Sequence, residues 1–142
     1  MTTAPIALSR LAWAGLAAGV WIFASGIAMA AVFGYREMSA AFARIGLVPP
    51  TSAGAFATHT LVRLGLGLAI AVLFLLALGL FPRGQAALVA AALVWLLASF
   101  FPFLVMTEWG LFPWRLAWKV WAWSAAELVV AARIAALVYG RT

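Results

Sequence analysis

The side chains able to do chemistry in this sequence are few, and two of them lie where water is scarce. Glu127 and Arg133 stand inside the apolar run 114–139, which is long enough to cross a bilayer and is rich in tryptophan at its start. An unpaired carboxylate or guanidinium at the centre of a bilayer costs on the order of 2.5–3.5 kcal/mol even on lenient insertion scales. Both groups therefore need partners.

Depth, counted at about 1.5 Å per residue along a helix, names the partners within reach. Ser25 and Gly26 of a first apolar run, Gly67 of a second and Ser99 of a third fall level with Glu127, and Ser124 shares its helix face. Pro102 cannot donate to the carbonyl of Ala98, which leaves that oxygen free at the same depth. Arg63 is the natural counter-ion, with His59 one turn further out on the same face. An axial offset of about 9 Å separates Arg63 from Glu127, so contact requires both side chains to turn towards each other or a water to bridge them. Arg133 follows Glu127 by six positions and points about 120° away from it, so the two do not pair within one helix.

The candidate intramembrane polar site is thus Glu127, Arg63, Ser99, Ser124, Ser25 and His59. It has two readings: a buried polar cluster that fixes helix packing, or a proton, ion or substrate site. For Arg63 and His59, snorkelling to the headgroups is a third.

Catalytic signatures are thin. The sequence contains no Cys, which excludes disulfides, thiolate metal sites, iron–sulfur clusters and thiol redox chemistry. Its one His, His59, excludes bis-His haem and the two-His zinc helix, and Met29 and Met106 lie in no haem-ligation motif. Gly65-Leu66-Gly67 lies inside an apolar run and reads as packing, with no phosphate-binding loop or nucleophile elbow elsewhere. No catalytic residue, metal or cofactor is assigned.

The elements that must position these groups are set by composition. Of 142 residues, 68% are hydrophobic and 8% charged, and the mean hydropathy is +1.16. Such a chain belongs in lipid. Its net charge of +6 is scattered over spans and loops and forms no stripe. That pattern suits anionic headgroups and excludes a nucleic-acid partner.

Four apolar runs, 11–33, 58–81, 85–107 and 116–139, each approach the length that a hydrocarbon core of about 30 Å requires. In lipid, a backbone without barrel-like alternation must satisfy itself as helix. The expected fold is an all-α integral membrane protein, one domain of four transmembrane helices in an antiparallel bundle. The first run has a signal-peptide flavour, ending Ala28-Met29-Ala30, but exceeds a signal core of about 7–15 residues and reads as a retained span.

In the connection 35–57, Met38, Ala41, Phe42 and Ile45 repeat at helical spacing ahead of Pro49-Pro50, which predicts a short interfacial helix between spans one and two. Gly34 suits a left-handed cap before it, and Thr51 or Ser52 an N-cap after it. Pro82-Arg83-Gly84 makes a tight turn, and Pro113 opens span four. The stripe Gly15, Gly19, Gly26, Ala30 predicts close packing, within the chain or in a homo-oligomer. Trp109, Trp114, Trp118, Trp121 and Trp123 read as an interfacial belt.

Four spans place both termini on one side, taken as cytoplasmic in a bacterial inner membrane. Arg10, Arg83 and Arg141 lie on that side, against Arg36, Arg44, Arg115 and Lys119 on the other. One carboxylate in a small four-helix membrane protein resembles the small multidrug transporters in architecture. Their key Glu lies in the first span, where this sequence has none, so no residue role carries over.

The function expected is a non-catalytic polytopic membrane protein, an accessory or lipid-interacting subunit whose intramembrane charges stabilise the bundle. Its partners are membrane lipids, including anionic headgroups, and a second copy or a membrane-complex partner. The alternative is a small transporter or channel that uses Glu127 as proton, ion or substrate site.

Overall fold

The computed structural model describes residues 8–49 and 51–140. Pro50 of the expected helix breaker and Arg141 of the terminal charge lie outside the described residues. The described elements are helices: α1 (Leu8–Met29), a π turn (Ala30–Gly34), α2 (Tyr35–Arg44), α3 (Ala53–Ala77), α4 (Arg83–Trp95), a second π turn (Leu96–Phe100), α5 (Phe101–Glu108) and α6 (Trp114–Gly140). They form four rods long and apolar enough to cross a membrane, Leu8–Arg44, Ala53–Ala77, Arg83–Glu108 and Trp114–Gly140.

Local chemistry sets the ends. The Ser52 hydroxyl accepts the Ala55 amide at 3.1 Å and caps α3. Gly46 and Gly110, both with φ +73°, close α2 and α5, where Leu47 and Leu111 donate back to the carbonyls of Phe42 and Met106. The expectation for Gly34 needs correction. Its φ is −62° and the helix passes through it without a break. A helix does stand at 35–44, but as the continuation of span one, and the left-handed stop falls at Gly46 instead.

Span two is also displaced from its apolar run. α3 begins at Ala53 and ends at Ala77, so Leu78 to Phe81 belong to the turn despite their hydrophobicity. In lipid, a turn at the membrane face can stay apolar without cost, so hydropathy alone overruns the helix end.

In the bundle α6 touches the other three spans; α1 packs on α3 and α6, and α4 packs on α3 and α6. The core is built from small residues, Ala14, Ala18, Ala71, Ala87, Ala90, Ala131, Ala132 and Ala135, around Ile22, Ile70, Phe74 and Leu128. Small side chains let helix backbones approach, and close contact replaces the hydrophobic drive that is absent between lipid and helix. A Cβ on Gly15 would lie 2.9 Å from the Cα of Leu68, and one on Gly19 2.8 Å from that of Leu64. The Gly15–Gly19 stripe is therefore filled by α3 of the same chain, and the expectation that it could join two copies is corrected.

A second cluster, Ala41, Phe112, Leu116 and Val120 with Met38 and Phe42, seats α2 on the first turns of α6.

Candidate functional site

Arg63 enters from α3 and Glu127 from α6, and they meet directly: Arg63 Nη1 donates to Glu127 Oε1 at 2.9 Å, with the side chains 17% and 3% exposed. The offset read from the sequence shrinks because α3 ends four positions earlier than its apolar run, at 77 where the run reaches 81. Four residues are about 6 Å of rise, which lowers Arg63 towards Glu127. The same slide corrects Gly67. It lies deeper than Glu127's level, and a Cβ there would overlap the backbone of Gly15 and Gly19.

Gly26 of α1 gives the guanidinium its seat. A Cβ at that position would stand 3.1 Å from Arg63 Cζ and 3.2 Å from Nη2. The ion pair thus involves three helices: α3 supplies the cation, α6 the anion and α1 the gap between them.

Indole N–H groups fasten the surroundings. Trp123 Nε1 donates to Ser25 Oγ at 3.0 Å, Trp21 Nε1 to the Glu127 carbonyl oxygen at 3.1 Å, and Trp95 Nε1 to the Trp121 carbonyl oxygen at 3.1 Å. Ser124 Oγ–H also donates to the Trp121 carbonyl oxygen, at 3.3 Å. Each bond gives a polar group a partner within the protein. The tryptophans read as a belt divide by burial. Trp109 and Trp118 are exposed, whereas Trp121 is 3% exposed and packs at a tilt against Phe100 inside the bundle. Their spacing along one helix could not say which face is covered.

On the Arg63 side of the pair lies a cavity of about 560 Å³ towards the long-loop end. His59, Arg63, Ser99, Ser124 and Glu127 line it with the free-standing Ser39, and Met29, Met38, Phe42 and Phe103 make its apolar walls. Ser25 does not reach this cavity. It lies with Glu127 at the base of a separate outer groove between α1 and α6, walled by Trp21 and Trp123. The structure therefore gathers five of the six expected residues around one cavity and puts the sixth behind the carboxylate. Arg133 is exposed on the outer face of α6.

Two features escaped sequence reasoning. Lys119 pairs with Glu37, across 82 positions, with its Nζ 5.5 Å from the Phe33 ring centre. No local spacing signals such a pair. The unpartnered Ser39 hydroxyl, buried at its oxygen atom, is the other. Among the described residues, no three His, Asp or Glu side chains gather where a metal ion could be held.

Fold and site together define a class: an all-helical protein with four membrane-length helices and a buried Arg–Glu pair. Compared with family models, curated proteins and solved structures, the chain gives no significant match.

Proposed function

We propose that this is a non-catalytic, lipid-interacting membrane protein that holds a lipid-soluble molecule in the cavity above the Arg63–Glu127 pair, while the pair itself ties α1, α3 and α6 together. One observation carries the reading. A guanidinium has five N–H donors, and among the described residues only one bond from Arg63 reaches a protein acceptor, so the rest of the fork borders a cavity of about 560 Å³. Spare N–H groups of a guanidinium beside a cavity can hold the acceptor of an occupant, a partner that lipid tails do not offer.

The test is native mass spectrometry of the protein from mild detergent. Wild type is expected to carry bound lipid, and Ser99→Trp, which fills the cavity, to lose it while keeping its helical content and elution volume. Equal retention by the variant, or a wild type that carries nothing, overturns the reading.

Proton or substrate transport through Glu127 is the second reading, favoured by the fact that the cavity reaches the carboxylate. Below that level Ile22, Ile70, Phe74 and Leu128 are each at most 2% exposed, so this layer must open in any transport cycle. Proteoliposomes should then show a proton flux that Glu127→Gln abolishes; flux that survives the substitution removes this reading.

A further inference from the structure

We infer that the occupant of the cavity is a neutral lipid-soluble molecule with a carbonyl-bearing head, which enters sideways from the bilayer between α3 and the upper half of span three. The inference rests on the binding reading above and adds the chemistry of the head and the route.

The charge at the floor selects a neutral head. Arg63 and Glu127 are 2.9 Å apart and neutralise each other. An anion drawn to the guanidinium would meet the carboxylate, and a cation drawn to the carboxylate would meet the guanidinium. A neutral acceptor meets neither penalty.

The charged group with bonds to spare is a donor: of the N–H groups of the Arg63 fork one is taken by Glu127, and the residue borders the cavity with His59 and Ala98 beside it. Ser99 adds a hydroxyl, while Ser124 has already committed its proton to the Trp121 carbonyl. The spare fork of a guanidinium, which only donates, is complementary to carbonyl oxygens, which only accept.

The route follows from which helices span three touches along its length. Its lower half, α4, packs on α3 and α6; past the π turn Leu96–Phe100, α5 packs on α6. Pro102 at the start of α5 removes one backbone donor from that stretch. Val62 and Leu66 of α3 and Phe103 of α5 all line the cavity, which gives it an apolar flank where these two helices have little contact. A chain attached to the head can lie there in contact with lipid, while the head reaches Arg63.

The experiment uses the full chain in nanodiscs with photoreactive probes whose labelled peptides are read by mass spectrometry. Two neutral probes, a diacylglycerol with ester carbonyls and a prenylated benzoquinone with ring carbonyls, are set against phosphatidylglycerol and a quaternary-ammonium lipid. We expect at least one neutral probe to label peptides containing Ser39, Ser99 or Phe103, and whichever labels identifies the source of the carbonyl. Arg63→Met/Glu127→Met keeps a neutral floor without donors, and should weaken that labelling about tenfold. Arg63→Lys keeps the pair but loses the fork, and should weaken it in the same direction with the bundle intact. Equal or stronger labelling of these peptides by the anionic or cationic probe overturns the inference, as does full labelling of a folded variant without the fork. If lipid is retained by wild type and lost by Ser99→Trp, yet neutral probes do not label, the inference falls and the binding reading stands. If nothing is retained at all, both fall.

Discussion

A methyl group on Gly67 of α3 would overlap the main chain of Gly19 in α1, so these two residues bring their helices into backbone-to-backbone contact. Overpacking a tight contact costs about 1–3 kcal/mol. Gly67→Ala should lower the thermal midpoint in detergent. Gly65→Ala, where nothing lies within 4 Å, should leave it unchanged or raise it, since Ala is favoured over Gly in a helix by about 1 kcal/mol. Matching shifts for both variants would show that the crossing is looser than described.

The ion pair should respond unequally to loss of each partner. Removing Arg63 strands a carboxylate that is 3% exposed, whereas removing Glu127 leaves a guanidinium that is 17% exposed and borders a cavity. Breaking a buried pair costs about 3–5 kcal/mol. Arg63→Gln is expected near that range and Glu127→Gln below it, because the charge left behind in the second case is the less buried of the two. Arg63→Gln/Glu127→Gln should recover part of the loss. Chemical unfolding of the four proteins measures the cycle, and additive losses would deny the coupling.

Gly19→Leu should destabilise the folded monomer, because Leu64 of the same chain already occupies that face. Size-exclusion chromatography with light scattering, run beside thermal unfolding, separates the two effects. A dispersed oligomer with an unchanged midpoint would return the stripe to an intermolecular role.

Trp123→Phe removes the donor to Ser25 and should cost about 0.5–1.5 kcal/mol. Trp118→Phe, at a side chain 64% exposed, should cost little. Thermal unfolding of the two variants side by side is the check; equal midpoints would mean that the Trp123–Ser25 bond adds nothing.

Much of this was legible from sequence, for physical reasons that also set the limit. The four spans follow from lipid's demand that a backbone satisfy itself, and the helices found at Ala53–Ala77 and Trp114–Gly140 overlap the apolar runs 58–81 and 116–139. What the runs cannot fix is axial position, because an apolar turn such as Leu78 to Phe81 looks like helix to a hydropathy count. That slide decided whether Arg63 could touch Glu127 and moved Gly67 out of its expected layer. Gly34 misled for another reason: glycine permits a left-handed stop but does not require one. Pro102 did mark the irregular stretch of span three, since a missing donor is a local property that needs no knowledge of neighbours.

The π turn at Ala30–Gly34 makes the protein unequally tolerant of changes in its own length. Such a turn is an α-helix carrying one surplus residue, so deleting Ala31 should let the segment relax to ordinary α geometry. The parts on either side would keep their mutual phase, with Glu37 still opposite Lys119 and Ala41 still on Leu116. A deletion of the same size at Ala17, inside regular helix, would instead turn everything before it by about 100° against everything after. Chains of this design can therefore lose one residue at that turn with the bundle unchanged, whereas the same loss in the middle of α1 turns its two ends against each other.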